Sequence, residues 1–379
     1  MVSYMFYSFV VVGITLIFHL STKYQRYTTD GSEQRRNSNR HNFVIKKETV
    51  LVILTIIAMG IVAAFRGNAG TDSYAYRFDY ENDIFSSQWR EYEEGFVFLS
   101  KCLRTLNFSY QAFFFVLAVI VSLFICMSIM KEKKNIDATI AIFGFLTDLY
   151  LFSFNGTRQA IAIGICLYAV LLFLDEKFIK GIIVVLFASL FHRTALICLG
   201  IVLIQICIKY KRSKLMMTAV ILGVAAFIMN PSWMQTIVKF VFRSDYYTGY
   251  ITKTTYSTNA LLYYYIMYLP VFIVILCTYK GWRGNPRYRT LMVITIVGYV
   301  LSSLEVMASG GIGRIGYYLK YSNILSLAYC ARMPLYVPFT NRELSARTTK
   351  GLIFVYCFIL MVFSYFIKQY NQIIPYGWF

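Results

Sequence analysis

The chain has 379 residues, of which 58% are hydrophobic and only 15% are charged, and its mean hydropathy is +0.57. Because a soluble domain carries about 25% charged residues, this composition excludes a soluble enzyme. The chain contains 37 Lys and Arg against 18 Asp and Glu, a net charge of +19. In an apolar chain such an excess is expected in cytoplasmic loops rather than at a nucleic-acid site. The eight cysteines show no Cys-x-x-Cys spacing, so neither disulfides nor a thiolate metal site are indicated.

Apolar runs recur along the whole chain and predict membrane helices, which need about 20 residues each. No Lys or Arg precedes the first run, unlike in a cleavable signal peptide, so we expect a retained helix with its N-terminus outside. The predicted fold class is an all-α polytopic integral membrane protein with about 12 transmembrane segments, forming one domain over residues 1–379. The candidate segments are 2–20, 48–65, 110–130, 138–154, 159–174, 181–191, 194–208, 215–229, 259–278, 290–307, 317–330 and 351–367.

The charges of the connectors indicate how these segments are threaded. Alternate threading from an outside N-terminus places six connectors, with 24 of the 37 Lys and Arg, in the cytoplasm. One of them is the basic loop 21–47. The outer-face connectors are 66–109, a loop followed by an amphipathic interfacial helix, and the loop 230–258. Residues 181–208 form either one long helix or two short arms, and two arms are preferred because a single helix would place the basic cluster 209–214 outside.

Four arginines lie at the outer ends of predicted helices, where the positive-inside rule does not account for them. Guanidinium groups on one face of a membrane protein suit phosphate or pyrophosphate, because each planar fork can make two hydrogen bonds at once. The alternative is that they extend to the outer headgroups or pair with intramembrane acids. These residues are Arg66, Arg158, Arg193 and Arg314.

Two short motifs carry the first two of these arginines. In the motif from Arg66 to Asp72, two glycines allow a tight turn that can present backbone N–H groups and an acid beside the arginine. A helix-ending turn capped by Asp72 explains the same residues structurally. In the second motif, Arg158-Gln159 begins a helix, where the helix dipole disfavours a cation and an anionic partner is expected. Asp148 is one candidate partner, which would make that pair structural.

Polar residues interrupt the apolar pattern at three further places. His192 and Arg193 lie where polar residues usually face a cavity, and His192 can act as a base or as a hydrogen-bonded helix terminus. Glu94 belongs to an acidic patch that is either solvated or functional. The segment from Gly311 to Gly316 matches Gly-x-Gly-x-x-Gly, but no strand precedes it, so a dinucleotide site is rejected. An anion-binding turn and close helix packing both stay open for this segment.

The outer connector 230–258 carries Arg243 among several tyrosines. Tyrosines at this level can stack on sugar rings, and an interfacial aromatic belt explains them equally well. The connector therefore contributes a candidate binding residue without defining a site.

Four short motifs occur in order along the first half of the chain. They are Arg66 with Gly70, Thr71, Asp72 and Tyr74; Glu94 with Gly95; Arg158 with Gln159; and His192 followed by Thr194 and Ala195. Their order and spacing resemble the EpsG/Wzy-type family of bacterial polysaccharide polymerases. The resemblance covers residues 48–200 well, and the C-terminal half agrees in hydropathy and in the region from Arg314 to Tyr317.

The resemblance implies a GT-C-like glycosyltransferase in the bacterial cytoplasmic membrane, with its active site on the periplasmic side. It implies transfer of a growing glycan between undecaprenyl-pyrophosphate-linked oligosaccharides, in the synthesis of O antigen, capsule or exopolysaccharide. Donor and acceptor are then both lipid-linked, membrane lipid surrounds the chain, and a chain-length regulator protein is a candidate partner. No nucleic acid and no cofactor are expected.

The resemblance also suggests roles for individual residues. Asp72 is the first candidate for the general base, with Glu94 and His192 as competitors. The residues assigned to pyrophosphate and glycan binding are Arg66, Thr71, Tyr74, Arg158, Gln159, Arg193, Arg243, Arg314 and Tyr317. A metal-independent reaction is expected because no acidic metal cluster is obvious, although Asp72, Asp79 and Glu94 share one loop.

Three other classes of function compete with this interpretation. A flippase or transporter of lipid-linked glycan also needs intramembrane arginines, but those should line a path across both leaflets, whereas the predicted arginines are on one side. An O-antigen-ligase-like transferase differs mainly in its acceptor, which a sequence does not display. A membrane acyltransferase that uses cytoplasmic coenzyme A needs a site on the inner face, and none is found.

Overall fold

The computed structural model describes residues 2–28, 47–86, 92–210, 218–219, 222, 258–303, 312–340 and 342–376. The helices are α1 (Val2–Thr28), α2 (Lys47–Ala64), α3 (Ser73–Asn82), α4 (Glu94–Thr105), α5 (Tyr110–Glu132), α6 (Ala138–Phe152), α7 (Thr157–Leu174), α8 (Phe178–Ser189), α9 (Gly200–Lys209), α10 (Thr258–Cys277), α11 (Tyr279–Trp282), α12 (Pro286–Ser302), α13 (Tyr317–Lys320), α14 (Asn323–Cys330) and α15 (Ala346–Ile367). Short 3₁₀ turns cover Ile84–Ser86, Arg193–Leu199, Ile312–Gly316 and Tyr370–Gln372. Two short antiparallel strands, β1 (Leu335–Tyr336) and β2 (Glu343–Leu344), pair with Leu335 opposite Leu344.

Six of the described helices are long and apolar enough to cross a membrane, namely α1, α2, α5, α7, α10 and α15. Two further apolar helices, α6 and α8, are shorter. These helices confirm the all-helical polytopic membrane class. The total of about 12 segments and the single domain stay predictions, because most of the candidate segment 215–229, of the connector 230–258 and of the basic loop 21–47 lies outside the described residues.

The stretch 181–208 consists of two arms, as the charge distribution predicts. α8 ends at Ser189, and His192 has an extended backbone with φ −159° and ψ 115° before the 3₁₀ turn that leads into α9. The carbonyl of Leu190, at this break, accepts a hydrogen bond of 2.9 Å from the N–H of Gly95. A Cβ on Gly95 would lie 2.7 Å from the Leu190 Cβ. The missing side chain of Gly95 therefore lets the start of α4 lie against the break and brings His192 close to it.

Ion pairs hold one end of the helix bundle together. Arg287 contacts both Asp175, after α7, and Glu132, at the end of α5. Lys133 pairs with Glu48, at the start of α2. We call this end of the bundle the basic face and define it by Glu132, Asp175 and Arg287. Each of these pairs joins elements that are far apart in sequence.

Hydrogen bonds around Asn155 hold the opposite end together. The Asn155 Oδ1 accepts from the backbone N–H of Asp72 at 3.0 Å, and its Nδ2 donates to the Oδ1 of Asn371 at 3.0 Å. The N–H of Gly70 donates to the carbonyl of Gln372 at 2.9 Å. We call this end the motif face and define it by Gly70, Asn155 and Gln372. It joins the loop after α2, the turn before α7 and the segment after α15.

Replacing Gly70 with Ala is expected to destabilise the motif face. Gly70 has φ +103°, and a Cβ would lie 2.3 Å from the carbonyl oxygen of Phe154. Strained backbone conformations of this kind cost about 1–3 kcal/mol each. Gly70→Ala should therefore lower the free energy of unfolding by at least about 1 kcal/mol, which thermal unfolding in detergent would measure. The matched control is Gly351→Ala, where no atom lies within 4 Å of the added Cβ; this change inside α15 should be neutral or stabilising. Equal Tm values for the two variants would contradict the account.

Candidate functional site

A buried carboxylate organises the start of α4. Glu93 precedes this helix and is 4% exposed. It forms an ion pair with Arg158, its Oε1 lies 2.7 Å from the Nδ1 of His192, and the same oxygen accepts from the backbone N–H of Arg193 at 3.2 Å. We call Glu93, Arg158 and His192 the Glu93 cluster. It brings together the residue before α4, the first turn of α7 and the break after α8, which are separate in the sequence.

The partners of Glu93 determine its charge. Burial alone would raise its pKa, but the hydrogen bond and the charge of His192, together with the charge of Arg158, lower it from 4.5 to about 2. Glu93 is therefore ionised at neutral pH and poorly suited to accept a proton. Its role is to hold Arg158, His192 and the backbone of Arg193 in place.

Arg158 is the arginine that the sequence assigns to an anionic partner at a helix start. Its partner is Glu93 and not the candidate Asp148. The Arg158 Nε also donates to the hydroxyl of Tyr76 at 3.3 Å, and its guanidinium lies 4.7 Å from the ring centroid of Tyr92. These contacts hold the guanidinium against α3 and the residues just before α4.

Glu93 is not among the residues predicted from the sequence, whereas its neighbour Glu94, which is exposed, is. The helical period carries the signal that distinguishes the two. The buried residues of α4 are Phe96, Ser100 and Leu103, and position 93 lies on the same face, three residues before the first of them. Glu94 lies off that face and is exposed.

Residue Gln159 connects this cluster to the segment after α12. Its Nε2 donates to the carbonyl oxygen of Arg314 at 2.8 Å. In the same segment, Gly316 packs so closely on α12 that a Cβ would lie 2.4 Å from the backbone nitrogen of Ser302. Gly316 therefore has the packing role that was one of two alternatives for the glycine-rich segment. Gly311 lies outside the described residues.

Arg66 lies beneath the motif face rather than on it. It is 2% exposed, its guanidinium lies 4.1 Å from the ring centroid of Phe114, and its Nη1 donates to the carbonyl of Ser153 at a long 3.5 Å. Burial lowers its pKa to about 10. Arg66 is thus enclosed by protein groups, whereas Arg193 is exposed.

The remaining candidates occupy different environments. The exposed ones are Thr71, Asp72, Tyr74, Glu94 and Arg193. Arg314 and Tyr317 are partly buried and line a cavity. Arg243 lies outside the described residues. Asp79, expected to share one loop with Asp72 and Glu94, lies in α3, where it is buried and accepts a hydrogen bond from Tyr92.

The cavity lined by Arg314 and Tyr317 has a volume of about 400 Å³. We call it the tyrosine cavity. Its polar lining includes two residues that the sequence analysis did not assign to the site, Asp148 and Lys320, whose carboxylate and ammonium are 3.7 Å apart. A lone acid within an apolar run was the available signal for Asp148. The tyrosines of the lining are Tyr263, Tyr264, Tyr268, Tyr317, Tyr321, Tyr365 and Tyr370.

No group of three or more His, Cys, Asp or Glu side chains within the described ranges is arranged to hold a metal ion. Metal independence of the reaction stays a prediction.

Replacing Glu93 with Gln should destabilise the protein, because Arg158 and His192 then lose their anionic partner. Removing one member of a buried ion pair costs about 3–5 kcal/mol. The exposed neighbour provides the control Glu94→Gln, which is expected to change stability by no more than about 0.5 kcal/mol.

Since the folded pKa of Glu93 is depressed to about 2 from 4.5, its contribution to stability is present above pH 4.5 and declines as the pH falls toward 2. Thermal unfolding across this range should show a smaller loss for Glu93→Gln than for the wild type. A parallel pH dependence of the two proteins would argue against the ionised cluster.

Comparison with known proteins identifies the family. No curated protein and no solved structure matches the chain. The family model of the EpsG family matches residues 49–378, a range that includes the Glu93 cluster, the motif face and the tyrosine cavity. Because this match covers most of the chain, the protein belongs to the EpsG family, a family of Wzy-type polymerases.

Proposed function

We propose that the chain is a glycosyltransferase that polymerises undecaprenyl-pyrophosphate-linked oligosaccharide repeat units into a polysaccharide. The observation that carries this proposal is the EpsG family match over residues 49–378. The arrangement of the site supports it, because the Glu93 cluster and Arg314, a residue of the tyrosine cavity, are connected through consecutive residues, Arg158 and Gln159. A membrane-embedded protein with cations and a polar aromatic cavity at one end suits a lipid-linked glycan.

The proposed reaction is transfer of the growing glycan from one lipid carrier to the terminal sugar of another. An acceptor hydroxyl oxygen bonds to the anomeric carbon of the donor, the bond from that carbon to the pyrophosphate oxygen breaks, and its electron pair leaves with the lipid pyrophosphate. The donor sugar is already activated by its bond to the lipid pyrophosphate, which is the leaving group. No nucleotide is therefore required. The protein must neutralise the developing negative charge and accept the hydroxyl proton.

Two of the four arginines suit direct binding of the leaving pyrophosphate. The side chain of Arg193 is exposed, and no ion pair of this side chain occurs among the described residues; Arg314 lines the tyrosine cavity. Arg158 and Arg66 are held by protein groups and act as positioning residues, Arg158 through Glu93 and Arg66 beneath the loop of Thr71, Tyr74 and Asp72. Gln159 positions Arg314 through its carbonyl, and Tyr317 forms part of the cavity wall. Arg243 remains a proposed binding residue.

The orientation, fold type and partners are also part of the proposal. The basic face, with cations such as Lys133 and Arg287, lies in the cytoplasm by the positive-inside rule. The motif face then lies at the outer side of the cytoplasmic membrane, where flipped lipid-linked substrates are present. We propose a metal-independent enzyme of the GT-C type, with a chain-length regulator as a candidate partner.

Purified protein in detergent should convert the lipid-pyrophosphate-linked repeat unit into a ladder of longer products, without nucleotide sugar and with chelator present. Arg193→Gln and Arg314→Gln should each slow ladder formation about 100-fold, because oxyanion-type contacts contribute about that much. The matched control is Arg77→Gln, which removes a partly exposed arginine paired with Glu81 on α3 and should leave the ladder unchanged.

Movement of the intact lipid-linked unit across a proteoliposome bilayer, with no ladder, would overturn the proposal and indicate a flippase. Glycan transfer to a different acceptor without elongation would indicate a ligase.

The proposed bases can be tested by conservative substitutions. Asp72→Asn and Glu94→Gln keep the size of each exposed side chain and remove only its proton-accepting carboxylate, and His192→Gln removes the imidazole. A general base contributes about 100- to 10,000-fold to the rate. The variant that removes the true base should therefore lower kcat at least about 100-fold. If Asp72→Asn and Glu94→Gln both polymerise at the wild-type rate, neither acid is the base.

A further inference from the structure

The tyrosine cavity contains a buried charge pair within an aromatic surround. The ammonium of Lys320, a residue 2% exposed, donates to the hydroxyl of Tyr268 at 3.0 Å. It also lies 4.6 Å from the ring centroid of Tyr268, 4.8 Å from that of Tyr317 and 5.0 Å from that of Tyr321. Rings at these distances stabilise a cation through their π faces. Lys320 can therefore stay charged in the cavity wall.

Two irregular helix segments position the partner of this lysine. Asp148 lies in a π-helical turn of α6, Phe145–Leu149, and Tyr365 lies in a π-helical turn of α15, Val362–Ile367. The Tyr365 hydroxyl donates to the Asp148 Oδ1 at 3.1 Å, as does the Tyr321 hydroxyl. Such π-turns interrupt helices at a cost and occur frequently at functional sites. Here two of them converge on one carboxylate.

Two buried polar atoms of the cavity lining have no hydrogen-bond partner among the described residues. They are the second carboxylate oxygen of Asp148, Oδ2, and the hydroxyl of Tyr263. Lys320 is 3.7 Å from Asp148 Oδ2, which is beyond hydrogen-bond distance. An unmade hydrogen bond at a buried polar atom costs free energy. A ligand that brings hydroxyl groups to this wall would supply the missing partners.

We propose that the tyrosine cavity is the sugar-binding subsite of the enzyme, in which Asp148, Lys320 and Tyr263 bind hydroxyl groups of one sugar ring of the repeat unit. A hydroxyl oxygen can lie about 2.8 Å from both atoms of a pair at this separation, accepting from Lys320 and donating to Asp148. The tyrosine rings provide faces for the apolar side of the sugar. Arg314, which lines the same cavity, places the pyrophosphate next to this subsite.

The cavity has the size and composition of such a subsite. Its volume of about 400 Å³ lies within the range of small-ligand sites, which are mostly aromatic or apolar with a few fixed polar groups. Asn371 of the motif face also lines it and hydrogen-bonds Asn155. The subsite is thus continuous with the motif face. This inference rests on the proposed function, which it extends by locating the glycan.

The test compares binding of two probes to the full-length protein in detergent: the lipid-pyrophosphate-linked repeat unit isolated from the source strain, and undecaprenyl pyrophosphate alone. Asp148→Asn should weaken binding of the repeat-unit probe about 10- to 100-fold, the range for hydrogen bonds to charged groups, and leave binding of the bare lipid unchanged. Tyr263→Phe, which removes only a hydroxyl, should weaken the repeat-unit probe several-fold. Arg314→Gln should weaken both probes.

A double variant separates a binding role from a structural one. Asp148→Asn with Lys320→Met removes both charges, so no unpaired charge is left buried. If the pair only stabilises the fold, this variant should bind the repeat unit like the wild type, which would overturn the inference. We expect it to stay as weak as Asp148→Asn.

The matched control lies on the same helix. Asp137, at the start of α6, pairs with Lys350 at 2.7 Å on the opposite end of the bundle. Asp137→Asn, alone and with Lys350→Met, should leave binding of both probes unchanged.

The outcomes distinguish the two proposals. If the wild type binds and polymerises the repeat unit, and Asp148→Asn and Tyr263→Phe bind the repeat-unit probe equally well, only the subsite is refuted. A wild-type protein that binds the repeat-unit probe but forms no ladder would refute the proposed function, and one that does not bind it would refute both.

Discussion

The ion pair between the buried Glu93 and the partly buried Arg158 is the interaction on which the Glu93 cluster depends. A cation at the first turn of α7 opposes the helix dipole and, if unpaired, is costly to bury. Glu93 offsets both costs and in doing so fixes the start of α4 against His192. Residues close to Arg158 in the sequence contact other elements. Asn155 hydrogen-bonds the segment after α15, and Gln159 hydrogen-bonds the carbonyl of Arg314. One short segment before and within α7 therefore positions four separate parts of the chain.

The arginines of the candidate site fall into two groups by their contacts. Arg66 is buried against aromatic rings, and Arg158 is partly buried and paired with Glu93, whereas Arg193 is exposed and Arg314 lines a cavity. Lys320 is shielded from solvent, and its ammonium contacts tyrosine rings as well as one carboxylate. Because charged groups within a membrane protein are expensive unless they are paired or functional, the proposed division into positioning and binding residues follows from their contacts.

Much of this organisation could be predicted from the sequence. Apolar length predicted the membrane class, and the basic cluster after residue 208 predicted the break at His192. The dipole argument correctly required an anion for Arg158, but which acid supplied it could not be read from the sequence. Glu93 is 65 positions away in sequence, and only folding brings it there. The pairing of Asp148 with Lys320 was unpredictable for the same reason, because it depends on two π-turns that leave no clear hydropathy signal.

The most direct measurement of the central claim is the stoichiometry of the reaction. Purified protein would be supplied with a lipid-linked repeat unit labelled in both the lipid and the glycan, and released undecaprenyl pyrophosphate would be counted against new glycosidic bonds. Lipid-to-lipid polymerisation predicts one released carrier for each bond formed, independent of added nucleotide sugar. Release without bond formation, or bond formation without release, would contradict the account.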